Sequence, residues 1–354
     1  MHRKFALPPL VLSLLAISLL PSAAAASPAA PVVHDTDGAT AHSASRYWTP
    51  KRMRAARELR VSRRAGARAL RAAGLTALGA SADASSSPLS SGQLATDIDP
   101  ATSIPPRPPA SGPGSAPRIV APPFQSGQVD PAAMSAYPYS ANGKVFGSFP
   151  RRGGNYSCSA TAVVSPSRSV IFTAGHCLHS LQFGWAKRIV FAPAYLSGST
   201  PFGTWRSTRI VSPRGWVRSE NFHYDYGAVK VSGNSGLLGD VVGEEGLVWS
   251  MPREQTYQAI GYPYNRGRTE LMWNCISASA GVDPLDRTRG EPDTGIGCDM
   301  GGGSSGGGWT VRDEYGNPFV NGATSYGYKR LKNVLFAAYL TPSVAKIVSS
   351  ADRG

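Results

Sequence analysis

From Val129 onward, short apolar runs alternate with Gly, Pro, Asn and Ser. The runs are Lys144–Phe149, Ala160–Val164, Val170–Thr173, Arg188–Phe191, Ala228–Val231, Gln258–Gly261 and Val334–Tyr339. Runs this short, with no long helical pattern between them, predict the strands of an all-β sandwich or barrel. The tail is different. From Thr341 it reads as a helix, with Thr341 as N-cap, Pro342 in the first turn and Val344, Ile347 and Val348 along one face.

The N-terminal part has another texture. His2-Arg3-Lys4, an apolar run from Phe5 to Leu20 and small residues from Ser22 to Ala26 read as a secretory signal over 1–26. A membrane anchor competes with that reading, but Pro8 and Pro9 leave the uninterrupted apolar part short for a span. Residues 27–128 are rich in Ala, Ser, Pro and Arg and read as a propeptide or a low-complexity leader. Within them, Trp48–Leu75 has the composition of a helix and Ser81–Pro123 that of loosely ordered chain. The expectation is a secreted, extracellular protein, processed between residues 64 and 130, with its globular domain over 129–354.

The net charge of +14 would suggest nucleic acid if it were spread over the domain. Roughly half of the surplus precedes residue 120, much of it in the Arg-rich run Lys51–Arg71. No comparable basic block follows, so a nucleic-acid partner is not expected. The four cysteines of an exported chain fit two disulfides, for which three pairings exist. Cys158 with Cys177 and Cys275 with Cys298 each flank a local segment, which favours the local pairing. No Cys-x-x-Cys pair occurs and the histidines do not cluster with the cysteines, so no metal site is expected.

The candidate chemistry lies in three places. Thr173-Ala174-Gly175-His176-Cys177 sets a histidine beside a half-cystine at the end of an apolar run. Asp225 stands where a loop enters the apolar run Ala228–Val231. Ser305 lies in the glycine-rich stretch Gly301–Gly308, where two backbone N–H groups can curl toward one oxygen. A nucleophile, a base and a group that orients the base are what amide hydrolysis requires. Gly302-x-Ser304-x-Gly306 also fits the serine elbow of α/β-hydrolases, but that fold needs a histidine after the serine and none follows His223. His179 reads as a solvated surface residue, His223 as a structural neighbour of Asp225, and Asp240 as the alternative mid-chain aspartate.

The chain order His, Asp, Ser and these flanking residues resemble the secreted chymotrypsin-fold, trypsin-like serine peptidases. Within them the chain is most similar to the bacterial branch that contains the glutamyl endopeptidases. The resemblance covers roughly residues 135–350 and implies two six-stranded antiparallel β-barrels with the active site in the cleft between them. It implies Ser305 as nucleophile, His176 as base and Asp225 as its partner, with the amides of Gly303 and Ser305 as the oxyanion hole.

By the same match, Thr324, Ser325, Tyr326 and Gly327 bind the substrate backbone and wall its pocket, and Asp299 falls where trypsin-like enzymes carry a pocket-base aspartate. Glutamyl-specific relatives carry a histidine where this chain has Thr324, so glutamate specificity is not implied. Gly308 replaces a usual proline. Ser304 replaces the aspartate that pairs with a freed N-terminus in trypsin-like zymogens, so activation by that ion pair is not expected. The implied protein is a monomeric endopeptidase acting on proteins or peptides, without metal or organic cofactor. A catalytically silent protease fold used for binding, and an esterase using the same triad, are the alternatives.

Overall fold

All seven apolar runs are strands in the computed structural model, which describes residues 26–59, 121–150, 154–286, 288, 290–328 and 331–353. The expected signal, the 60–75 part of the expected helix and most of the 81–123 stretch lie outside the described residues.

In chain order the leader contributes β1 (Pro31–Asp35), α1 (Gly38–Tyr47), α2 (Pro50–Ala55) and β2 (Arg57–Glu58), and β3 (Phe124–Gln128) follows. Next come β4 (Asn142–Phe149), β5 (Gly154–Val163), β6 (Val170–Thr173), β7 (His179–Ser180), β8 (Gly184–Trp185), β9 (Lys187–Pro193), β10 (Trp205–Pro213) and β11 (Gly227–Gly233). Six of these form antiparallel ladders in the order β9-β4-β5-β6-β11-β10. Pairing of Trp205 with Phe191 returns β10 to β9, so the sheet closes.

The second half holds β12 (Gly246–Leu247), β13 (Thr256–Gly261), β14 (Trp273–Val282), β15 (Thr294–Gly297), β16 (Gly308–Arg312), β17 (Pro318–Ala323), β18 (Tyr326–Tyr328) and β19 (Leu331–Ala337). Their order is β17-β16-β13-β14-β15-β19-β18, with β12 alongside β17 and β3 alongside β14. Because β17 and β18 are successive parts of one run, that run meets β16 first and β19 next, wrapping the sheet round. The all-β expectation of two antiparallel barrels with a C-terminal helix is met. The second sheet also takes in β3, ahead of the expected domain start at 129.

Strand β5 explains how the barrels meet. Tyr156, Cys158, Ala160 and Ala162, spaced by two, fill the first barrel with Val145, Ile171, Phe191, Trp205 and Val229. The intervening Ser159 turns the other way and bonds to the second half, through Gly303 O and Tyr262 N. The C-terminal helix (Ser343–Asp352) packs Val344, Ile347 and Val348 against Phe172, Tyr226 and Val320. Burial of each such aliphatic side chain contributes about 2 kcal/mol. Its N-cap is Pro342 rather than Thr341; the Thr341 hydroxyl instead meets that of Ser343 at 2.8 Å.

The leader between 31 and 59 is built structure docked on the first barrel. Strand β1 extends the sheet antiparallel to β10, and β2 lies parallel to β5 at Tyr156 and Ser157. Of the helix expected over 48–75, the described part is helical only over Pro50–Ala55 and then extends into β2. Asp37 caps α1 through Thr40 N, and α1 ends at Tyr47. Thr49, held extended before Pro50, then starts a new helix. Trp48 and Met53 are buried with Phe146, Val190 and Tyr195, and the Trp48 indole N–H donates to Arg188 O at 2.7 Å.

Candidate active site

Strand β6 ends at Thr173, and the chain turns at once through a short 3-10 helix, Gly175–Cys177. Cys177 is disulfide-bonded to Cys158 on β5, which ties the His176 turn to the barrel wall. Gly175 is required by space: a Cβ there would meet the Trp216 ring at 2.8 Å. That ring in turn faces the imidazole of His176 edge-on, at 6.2 Å between centroids.

Asp225 follows the 3-10 helix Phe222–Tyr224 and is fully buried. Its Oδ1 accepts the His176 backbone N–H at 2.7 Å, and its Oδ2 lies 2.8 Å from the ring Nδ1. The Ser325 hydroxyl donates to the same Oδ2. Three donors from two barrels offset the cost of burying this carboxylate. With Nδ1–H given to Asp225, Nε2 is left as the acceptor nitrogen, and it is buried without a hydrogen-bond partner. The Ser305 hydroxyl does not bond to it in this geometry.

Ser305 sits in the turn between the second disulfide, Cys275–Cys298, and β16. Its carbonyl accepts Ser159 N–H at 2.7 Å, and Gly306 N–H donates to Thr324 O at 2.7 Å. Gly303 and Gly306 have φ of +94° and +81°, a region that suits glycine. A Cβ on Gly306 would strike Thr173 Oγ1, so the serine turn rests directly on the start of the histidine turn. The amides of Gly303 and Ser305 donate to no protein acceptor among the described residues. Ser304 directs both its N–H and its hydroxyl to Gly301 O.

The residues expected to bind substrate fall in two places. Thr324, Ser325, Tyr326 and Gly327 adjoin the serine turn; the Thr324 hydroxyl accepts the Trp309 indole N–H at 2.9 Å. The Tyr326 ring is held between Phe222 and Phe336, and its hydroxyl reaches the carboxylates of Asp283 and Asp293. Asp299 is differently engaged: it accepts from Ser126 Oγ at 2.6 Å and pairs with Arg266, so its charge is already matched within the chain.

The other candidates resolve simply. His179 is buried, not solvated as expected, because its ring packs against Trp185; burial, with His34 and Arg218 nearby, pushes its pKa down to about 4. Asp240 pairs with Arg168 at the surface. His223 is buried, with Nδ1 2.9 Å from Asp293 and Nε2 2.7 Å from the Thr288 hydroxyl.

Three groups of side chains among the described residues lie at metal-ligand spacing. Two contain disulfide-bonded cysteines, which have no thiolate to offer. In the third, His223 with Asp286 and Asp293, both ring nitrogens of the histidine are already hydrogen-bonded.

No family model matches the chain. The chain is 31% identical over 143 residues to a curated protein named extracellular metalloprotease from Bacillus subtilis, and 33% identical over 132 residues to a glutamyl endopeptidase from Bacillus licheniformis. These matches take in 40% and 36% of this chain and 44% and 38% of the relatives, so the chain spans less than half of the length of each. Among solved structures it is similar to the protease Anisep from Arthrobacter nicotinovorans, with 30% identity and a TM-score of 0.55, over 61% of this chain and 96% of that one. A thermostable serine protease, AL20, from an extremophilic microorganism has 33% identity and a TM-score of 0.54, over 60% of this chain and 97% of that one.

The chain belongs to the chymotrypsin-fold serine peptidases. Over the 132 residues matched it resembles a glutamyl endopeptidase among them. No helix among the described residues is long and apolar enough to cross a membrane.

In this peptidase the sequence alone left several participants unnoticed. The Ser325 side chain, read only as part of a backbone-binding strand, bonds to Asp225. Trp216 and Tyr156 support the His176 turn, the latter through its hydroxyl on Cys177 O. Ser159 is one of the polar residues that alternate with apolar ones along β5, but its partners come from the other half of the chain.

Proposed function

We propose that the chain is a serine endopeptidase working through an acyl-enzyme. Ser305 attacks the peptide carbonyl as His176 Nε2 takes its proton. Asp225 keeps the Nδ1–H tautomer and balances the imidazolium that forms. The amides of Gly303 and Ser305 receive the oxyanion, and His176 returns the proton to the leaving amine. Water then repeats the sequence in reverse to free Ser305. The observation that carries this reading is the double grip of Asp225 on the backbone and ring of His176, beside a glycine turn whose two amides are free to donate.

The substrates are proteins or peptides, bound along Thr324–Gly327. Because Asp299 is matched by Arg266 and Thr324 stands in place of a histidine, the pocket suits an uncharged side chain better than a charged one. Residues 27–59 act as a leader that shields the cleft: β2 runs beside Ser157, and the Glu58 carboxylate lies 2.6 Å from where a Cβ of Gly302 would be. Export of the chain accords with its N-terminal sequence and with one relative named as extracellular.

The unbonded Nε2 of His176 is the observation that favours the alternative, a silent protease fold used for binding. Treatment of processed protein with a fluorophosphonate, alongside Ser305→Ala, separates the two. A single adduct on Ser305, absent from the variant, is expected; no adduct on disulfide-intact protein would overturn the peptidase reading.

A further inference from the structure

Two peptide groups must face the cleft if Gly303 and Ser305 are to donate to an oxyanion. In a trans peptide the N–H points away from its own C=O, so fixing the carbonyl fixes the amide. The carbonyl of Ser304 is held by Gly307 N–H at 3.0 Å, within the turn. The carbonyl of Gly302 is held from outside, by Tyr264 N–H at 2.7 Å. Whether the Gly303 amide faces the cleft therefore depends on where the loop 262–270 stands.

That loop touches the serine turn repeatedly. Asn265 accepts Gly301 N–H at 2.7 Å and donates to Asp299 O at 2.8 Å, so one side chain spans the approach to the turn. Tyr262 N–H and Gly303 O share the Ser159 hydroxyl. Tyr262 O and Thr269 Cγ2 occupy the space that a Cβ of Gly303 would need. Thr269 is itself unusual: its φ is +66°, a left-handed conformation that a β-branched residue adopts only under constraint.

The constraint comes from the first barrel. Lys144 of β4, with no exposed surface, donates to Thr269 Oγ1 at 3.0 Å and pairs with Glu270 at 3.2 Å. Tyr195 donates its hydroxyl to the other Glu270 oxygen at 2.8 Å, and Ser197 N–H donates to Glu270 O. A buried ammonium among aromatic rings is costly unless paired, so breaking this set is unfavourable.

We propose that Lys144 and Asn265 are positioning residues that hold the loop 262–270 against the serine turn and so preset the oxyanion hole, without an ion pair to a freed N-terminus. Lys144 acts through Thr269 and Glu270, and Asn265 acts directly on Gly301 and Asp299. The inference rests on the peptidase reading above.

The test uses processed full-length protein, with active sites counted by fluorophosphonate, and the variants Lys144→Met and the exposed, structurally milder Asn265→Ala. Loss of one oxyanion donor costs about 100-fold or more in kcat, so a loosened one should cost roughly tenfold with KM within twofold. Affinity for a peptide aldehyde, whose hemiacetal oxygen occupies the hole, should fall by the same factor. Binding of uncleaved peptide to the double variants carrying Ser305→Ala should not change. A folded Asn265→Ala protein with wild-type kcat and aldehyde affinity would overturn the proposal, as would parallel losses in peptide binding. An unreactive wild-type Ser305 would instead overturn the peptidase reading itself.

Discussion

Ser325, on the second barrel, donates its hydroxyl to the Asp225 oxygen that also faces the His176 ring. The carboxylate proposed to orient the base is thus shared across the seam between the barrels. Ser325→Ala should leave the Asp225 Oδ2 with one donor fewer and the His176 ring less firmly oriented. The expected loss in kcat is less than about tenfold, because neither the proposed nucleophile nor the oxyanion donors change. Wild-type kcat in a folded Ser325→Ala protein would remove Ser325 from the site.

The leader makes a second prediction. With Glu58 beside Gly302 and Trp48 buried in the first barrel, unprocessed protein should react more slowly with fluorophosphonate than processed protein. Trp48→Ala should weaken leader docking by about 3 kcal/mol, the usual cost of truncating a buried tryptophan, and raise that rate. Equal rates for processed and unprocessed chains would mean that the leader does not shield the site.

Removing the Cys158–Cys177 bridge as a pair of alanines should cost about 3 kcal/mol in urea unfolding, as expected for a short closed loop. Activity per folded molecule should fall further, because Cys177 adjoins His176. Urea curves in a Ser305→Ala background, free of self-digestion, provide the measurement.

The buried pair His223–Asp293 makes stability depend on pH. Burial pushes the His223 pKa down, but the Asp293 bond and charge, Asp286 and the Thr288 carbonyl outweigh it, leaving it above 6.5. Burial raises Asp293 as well, against the pull of His223. Both groups hold protons more tightly folded than unfolded, so their stabilisation is present at low pH and declines as pH rises. For His223 the decline runs from 6.5 upward through its folded pKa. His223→Gln should flatten that part of the stability profile; an unchanged slope would show that the pair does not titrate there.

How much of this was legible in the sequence depends on where each residue finds its partners. Strands such as β6 and β9 were visible because Val170–Thr173 and Ile189–Phe191 are continuous apolar runs buried on both sides. Strand β10 was not, because Arg206, Ser207, Thr208 and Arg209 interrupt its apolar residues, although Trp205, Ile210 and Val211 are buried. The leader misled for a related reason: Ala-, Ser- and Arg-rich composition hid Trp48 and Met53, which matter only because the first barrel has a place for them.

At the site, His176, Asp225 and Ser305 each sit in a telling local context, and the structure brings their turns together. Lys144 and Asn265 have no local signal, and that of Ser159, a polar residue in β5, does not name its partners. The partners of Lys144 and Ser159 lie across the barrel seam and that of Asn265 lies 36 residues on, at separations that no pattern along the chain expresses.

The ladder between β1 and β10 has a consequence for handling the mature protein. Any processing that sheds residues 26–59 uncovers the backbone donors and acceptors along Arg209–Pro213, an open margin onto which a foreign strand could zip. Proline and arginine at that margin discourage such pairing, Pro213 by lacking a donor and Arg209 by its charge. Mature material should therefore be kept dilute and at modest ionic strength, where like charges on neighbouring molecules still hold those margins apart.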